Sequence, residues 1–191
     1  MKKILKFCHF IMVLAYLNIG WGIGLGIGIG IGFGTGYAPV AYAKDVMTDK
    51  KHSISGTVTI TKINDGDSLR SGNLRIRLFG IDAPEKKQQC TDAAGMSWDC
   101  GIAAQKKLAD LVANAPNLTC HLIDVDRYGR LVMRCLAGET DVAAALVRAG
   151  LALAYRKYSS AYIDDETIAK TTKSGIWAGR FTAPWDWRRA Q

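Results

Sequence analysis

From residue 56 onward, short runs of apolar and β-branched residues alternate with polar turns. GTVTITKI (56–63), DSLR (67–70) and LRIRLFGI (74–81) predict three strands joined by turns at Asn64-Asp65-Gly66 and Ser71-Gly72-Asn73. Alternation in the third run places Leu74, Ile76 and Leu78 toward a core and Arg75 and Arg77 on the outer side of the wall. Leu108, Leu111, Val112 and Ala115 fall at helical spacing in GIAAQKKLADLVANA (101–115) and predict a helix with one buried stripe. Two further strands, LTCHLIDV (118–125) and RLVMRCLA (130–137), flank Asp126-Arg127-Tyr128-Gly129. DVAAALVRAG predicts a short helix starting near Asp141 and stopped by Gly150, and a third helix is expected over roughly Ala161 to Lys173.

Three strands, a helix and two strands is the element order of a five-stranded oligonucleotide-binding (OB) barrel. The expected fold is therefore α+β, an OB barrel over residues 55–178 with three packed helices. Residues 44–54 read as a polar lead-in and 179–191 as a basic aromatic tail. The tryptophans of its PWDWRR segment, Trp185 and Trp187, are expected to pack on the domain, with stacking on nucleic acid the alternative.

The first 43 residues differ from the rest. Lys2, Lys3 and Lys6 precede an apolar stretch, Phe10 to Val40, which ends in Ala41-Tyr42-Ala43 before the charged Lys44-Asp45. That order is a secretory signal with cleavage after Ala43. Every even position from Gly20 to Gly36 is glycine. Glycine costs about 1 kcal/mol per residue inside a helix in water, but spaced glycines let transmembrane helices pack closely, so a retained membrane anchor is the alternative. Either way the domain is exported, to the periplasm or the medium.

Beyond the leader the cysteines are Cys90, Cys100, Cys120 and Cys135. Four cysteines permit three pairings. Zinc is disfavoured, because the spacings are not CxxC-like and only His52 and His121 remain as imidazole donors. The midpoint between Cys120 and Cys135 falls in the Asp126–Gly129 turn, so the two face each other across a hairpin, and Cys90–Cys100 follows by elimination. The leader holds three of the 25 Lys and Arg and none of the 17 Asp and Glu, leaving 22 basic against 17 acidic residues, a net +5. Such an excess suits a polyanionic partner without requiring one.

Acidic residues cluster in two places that the strand order brings together. Asp65 and Asp67 lie at the first hairpin turn, next to the strand bearing Arg77. Asp82 and Glu85 follow that strand on a loop stiffened by Pro84, with Gly80 allowing a close backbone approach. Four carboxylates so close repel one another unless a cation intervenes, and hard divalent ions such as Ca²⁺ take carboxylate and carbonyl oxygens. A guanidinium beside them forks onto phosphate oxygens. Taken singly, Arg77 with Asp82 reads as a structural salt bridge and Asp65-Gly66-Asp67 as a tight turn.

In this order NDGDSL, IRLFGIDAPE, VDRYGR and ALVRAGLA resemble the thermonuclease family, the secreted calcium-dependent nucleases related to staphylococcal nuclease, over roughly residues 55–178. The resemblance implies Asp67, Asp82 and the Ala83 carbonyl as calcium ligands, with Asp65 supporting them. It implies Glu85 as the residue that orients or deprotonates the attacking water, and Arg77 and Arg130 as the arginines that hold the phosphate. Tyr128, and less closely Tyr155 and Tyr158, correspond to nucleotide-contacting tyrosines. The implied substrate is DNA or RNA, cleaved by a monomer with little sequence preference to leave 3′-phosphates; a non-catalytic nucleic-acid-binding module is the rival reading. Two departures stand out: Ala83 replaces a threonine, which leaves a carbonyl ligand intact, and KKQQCTDAAGMSWDC replaces a lysine-rich loop after Glu85.

If the leader is cleaved, N-terminal sequencing of protein from the cell envelope reads Lys44 first. An intact Gly20–Gly36 segment in the membrane fraction would establish the anchor instead.

Overall fold

The computed structural model describes residues 55–115 and 118–191; the leader and the lead-in up to residue 54 lie outside the described residues. Its strands and helices, in chain order, are β1 (Ser55–Val58), β2 (Lys62–Ile63), β3 (Ser68–Ser71), β4 (Leu74–Leu78), β5 (Ile81–Asp82), β6 (Cys90–Thr91), β7 (Ser97–Trp98), α1 (Cys100–Ala113), β8 (Leu118–Val125), β9 (Leu131–Ala137), β10 (Thr140–Asp141), α2 (Val142–Arg148), β11 (Leu153–Ala154), α3 (Ile163–Thr171) and α4 (Pro184–Arg189), with a 3₁₀ turn over Gly175–Ala178 between α3 and α4.

The principal sheet runs in the order β1-β8-β9-β4-β3-β2, with β10 added beside β9. Its two edge strands, β1 and β2, are consecutive in the chain and separated by only Thr59, Ile60 and Thr61. A sheet whose opposite edges are that close in sequence has to curl, and the architecture is α+β, a curled sheet with four α-helices. The expected strand over 56–63 is thus split in two: its first half pairs with β8 and its second with β3. The hairpin of β3 and β4 and that of β8 and β9 form as their alternation and turns predict, and β4 lies parallel to β9.

Ile76 and Leu78 of β4 are buried as expected, but Leu74 is 54 % exposed because it opens the strand beside the hairpin turn, beyond the reach of the core. The core gathers Leu69, Ile76, Leu78 and Ile81 from the strands, Leu108 from α1, and Val142, Leu146 and Val147 from α2. Each such side chain contributes about 1.5–3 kcal/mol by leaving water. On α1 the buried positions are Cys100, Gly101, Ala104 and Leu108; Leu111 and Val112 are half-buried, and Ala115 lies past the helix end. A second cluster joins Cys90, Cys100, Leu153 and Ile176 with Trp98, Trp177, Phe181 and Trp185, so the segment after residue 178 packs on the domain.

That segment supplies a helix beyond the three expected. Pro184 at its first turn, Asp186 near its start and Arg188 and Arg189 in its last turn suit the fixed φ and the dipole of a helix. Both expected disulfides form. Cys120 and Cys135 are directly opposed in the β8–β9 ladder with Cα atoms 4.1 Å apart, and Cys90 joins Cys100 at 5.7 Å. Among the described residues no helix is long and apolar enough to cross a membrane.

Glu166 of α3 is buried and locks that helix onto β11. It accepts hydrogen bonds from the Ala154 N–H at 3.1 Å, Arg156 at 2.7 Å and Lys170 at 2.8 Å. Burial raises its pKa, but the hydrogen bonds from Lys170 and Arg156 outweigh burial and hold it below the ordinary 4.5. A depressed carboxylate contributes stability that is complete above the unfolded value and is lost as pH falls through the folded one. Glu166→Gln is expected to cost about 1–3 kcal/mol at pH 7, with the difference from wild type closing as pH falls below the ordinary 4.5 and through the folded-state value, as measured by urea unfolding across pH.

Candidate active site

Alternation along β4 turns Arg77 away from Ile76 and Leu78, and the hairpin register sets it opposite Ser68, one residue after Asp67. Its guanidinium is only 15 % exposed and lies between two buried carboxylates, 2.6 Å from Asp67 Oδ1 and 2.6 Å from Asp82 Oδ1. The expected outward-facing arginine is therefore covered by its own acidic partners. Asp82 is placed by β5, whose two residues pair with Leu153 and Ala154 of β11. Gly80, at φ +73°, makes the turn before β5, and its carbonyl accepts from the Tyr155 N–H at 2.9 Å. The close backbone approach expected at Gly80 is thus present.

Asp67 is fully engaged. Its Oδ1 accepts from Arg77 and from the Ser68 hydroxyl at 3.0 Å, and its Oδ2 accepts from the Ala83 N–H at 2.9 Å. Asp65 sits at the edge, taking the Asp67 N–H at 3.1 Å. Burial pushes the Asp67 carboxyl up to about 6; Arg77 pulls against this and the neighbouring Asp65 charge adds to it. The donors around Asp67 favour its ionised form. Burial also weakens the Arg77 charge, but Asp67 and Asp82 more than restore it and raise its pKa.

The turn bearing Asp65 and Asp67 is seated by glycine. A Cβ on Gly66 would come within 2.6 Å of the Ala104 side chain and 2.7 Å of the Ala83 side chain. Glu85 is seated likewise, since a Cβ on Gly101, in the first turn of α1, would lie 1.8 Å from the Glu85 carbonyl oxygen. Buried Gln88 completes the support, accepting from the Glu85 N–H at 3.2 Å and donating to the Thr182 carbonyl at 2.7 Å. The Cys90–Cys100 bridge then ties this loop to the start of α1.

Asp82 and Glu85 share a second cation, Arg188 of α4. Its guanidinium donates to Asp82 Oδ2 at 2.7 Å, Asp82 Oδ1 at 3.1 Å and Glu85 Oε1 at 2.7 Å. Asp67, Asp82 and Glu85 form a chain of acids joined by Arg77 and Arg188, and Asp65 adjoins it only through the Asp67 N–H. Among the described residues no three carboxylate, imidazole or thiolate side chains converge on one point as a metal site. The donor chemistry nevertheless suits a hard cation at Asp82 and Glu85, which already hold one positive group between them. Asp67 is the less available ligand, with three donors upon it.

Arg130 has no hydrogen bond to this cluster. Asp126 organises its turn, accepting from the N–H groups of Tyr128 at 2.9 Å and Arg130 at 3.0 Å and from the Arg130 side chain at 2.7 Å. Arg130 immediately precedes Leu131, the partner of Ile76, so it stands at the margin of β4, and Arg75 of that strand donates to the Tyr128 carbonyl. Tyr128 is 56 % exposed, with Arg127 and Arg130 over its ring at 4.9 and 5.5 Å. Tyr158 is exposed and meets the ring of Tyr155 edge-on at 4.9 Å; the Tyr155 ring also stacks in parallel with Trp185 at 5.3 Å. Sequence reasoning did not anticipate Arg188, Gln88 or Asp126 at these positions. The one available signal was the basic aromatic character of PWDWRR.

Residues 75–179 match the family model described as staphylococcal nuclease homologue. The chain belongs to the staphylococcal nuclease homologue family. The match begins two residues before Arg77 and spans Asp82, Glu85 and Arg130, with Asp65 and Asp67 just ahead of it. The fold of this family is the OB fold expected from the element order. Similar proteins include an uncharacterized endonuclease of Haemophilus influenzae, 32 % identical over 71 % of this chain and 74 % of that one. A micrococcal nuclease of Shigella flexneri is 30 % identical over 69 % and 79 %. A succinoglycan biosynthesis protein, ExoI, of Rhizobium meliloti is 28 % identical over 69 % and 70 %.

Proposed function

We propose that this chain is an exported, calcium-dependent nuclease that hydrolyses phosphodiester bonds of DNA or RNA with little sequence preference and leaves 3′-phosphates. The observation that carries the reading is the Asp67–Arg77–Asp82 triad beside Glu85, in a chain of a nuclease family. A domain that only bound nucleic acid has no need to bury two carboxylates around an arginine next to a third acid. Export is supported by the two disulfides, which persist in oxidising compartments.

In this reading Asp82, Asp67 and the Ala83 carbonyl hold calcium, with Asp65 supporting them. Bound there, calcium supplies Lewis-acid stabilisation of the negative charge on the phosphate. Arg77 and Arg130 take the non-bridging phosphate oxygens, where planar forks match the charge that builds on them. Glu85 orients the attacking water and accepts its proton while the bond to the 5′-oxygen breaks in line. Tyr128, Tyr155 and Tyr158 offer ring faces to the flanking nucleotides.

Glu85→Gln keeps the shape of the side chain but not its proton-accepting charge, and turnover is expected to fall about two to four orders of magnitude at saturating calcium. Asp82→Asn is expected to raise the calcium concentration needed for activity, a different signature from the rate loss in Glu85→Gln. Arg77→Lys retains charge without the fork and is expected to lose most of its turnover. Digestion of labelled single- and double-stranded DNA and RNA measures all three. Full turnover in Glu85→Gln and Arg77→Lys would leave the nucleic-acid-binding module as the better reading.

A further inference from the structure

Two contacts of the tail helix α4 fall on groups that the proposed function needs free. Arg188 engages both oxygens of Asp82 and one of Glu85 at 2.7 to 3.1 Å. Trp185, three residues earlier and thus on the same face of the helix, lies parallel to the Tyr155 ring, 7° from coplanar with centroids 5.3 Å apart. A cation on the carboxylates and a flat aromatic ring on the tyrosine imitate the two chemical features of a metal-bound nucleotide. Asp82 is fully buried, so a guanidinium and a metal ion cannot both occupy its outward oxygens.

The attachment of α4 differs from that of the segment before it. Residues up to Thr182 are tied firmly: the Thr182 carbonyl accepts from Gln88, the Arg180 carbonyl accepts from the Thr91 N–H at 2.8 Å, and Phe181 packs edge-on against Trp177 at 4.9 Å. Gly179 allows this approach, since a Cβ there would lie 2.0 Å from the Thr91 carbonyl oxygen. Beyond Thr182, Ala183 is extended and Pro184 starts a helix of six residues. A helix so short has little stability of its own in water, so its position rests on its docking contacts. Those are buried Pro184, half-buried Trp185 and Trp187, and Arg188, whose side chain is 36 % exposed.

We propose that Arg188 and a divalent cation compete for Asp82 and Glu85, so that metal binding and the departure of α4 from the site are a single event, pivoting at Ala183. The inference rests on the proposed function, in which Asp82 is a metal ligand and Glu85 stands beside the metal to orient water. It makes α4 a built-in occupant of the site: the docked tail lowers the apparent metal affinity by the fraction of molecules in which the site is open.

The test is calorimetric titration of the purified, chelator-treated protein with calcium in the absence of nucleic acid. Arg188→Gln is expected to bind calcium about tenfold more tightly than wild type, and Arg188→Lys, which keeps charge without the fork, to fall between them. The gain in melting temperature on saturation with calcium is expected to be larger in Arg188→Gln, because without metal that variant leaves Asp82 with Arg77 but without the second guanidinium. Tryptophan emission provides a second readout. Calcium is expected to shift it in wild type as Trp185 leaves Tyr155, and the shift is expected to be absent in Trp185→Phe. Equal or weaker calcium binding in Arg188→Gln, or no tryptophan shift in wild type at saturation, overturns the competition. If that happens while nucleic acid is still cleaved, the nuclease reading stands without this inference. Tighter binding without cleavage supports the competition and removes the nuclease reading.

Discussion

The Arg77 guanidinium lies 2.6 Å from each of two carboxylates that have almost no access to water, and the arrangement of this end of the molecule follows from keeping those three charges together. Taking an ionised carboxylate out of water costs several kcal/mol even after the protein relaxes, and only a well-oriented counter-charge with further hydrogen bonds offsets it. Asp67 obtains these from Arg77, Ser68 and the Ala83 N–H, which come from three different segments. The β3–β4 register, the turn at Gly80 and the pairing of β5 with β11 are therefore all fixed relative to one another. A burial of this kind contributes little net stability; what it supplies is two carboxylates held in fixed positions.

Around that centre, the chain removes side-chain bulk wherever one element has to touch another. Gly66 brings the acidic turn against α1 and Ala83, and Gly101 brings α1 against the backbone of Glu85. The disulfide from Cys90 to Cys100 and the buried amide of Gln88 then hold the loop after Glu85 with covalent and hydrogen-bonded ties. In the sequence this loop differs from the lysine-rich loop of the thermonuclease family. Glu85 is held by Gln88 of that loop, by the close approach of Gly101 and by Arg188, and among the described residues the loop's lysines make no ion pair with it.

Much of this was readable beforehand because it is local. Alternation in LRIRLFGI separates Arg77 from the core, hairpin symmetry about Asp126–Gly129 pairs Cys120 with Cys135, and chain order places the turn bearing Asp67 beside the strand bearing Arg77. Other features were misread for reasons equally local. GTVTITKI has an unbroken β pattern, and only the curling of the sheet requires it to change partners between Val58 and Lys62. Leu74 fits the alternation, yet it stands at the rim, where the core has ended. The contact of Arg188 with Asp82 joins residues 106 apart, and no periodicity or spacing in one sequence encodes such a pairing. PWDWRR did carry the marks of a helix, with proline first, acid early and bases late; its brevity concealed them.

The proposed task of the acids and arginines gathered here is to direct water onto a phosphodiester. The most direct measurement is digestion of an oligonucleotide in ¹⁸O-enriched water with calcium, with the products resolved by mass spectrometry. The account predicts one ¹⁸O atom in each newly formed 3′-phosphate, with unlabelled 5′-hydroxyl ends. Intact oligonucleotide after prolonged incubation, or ¹⁸O found in a 5′-phosphate, would contradict it.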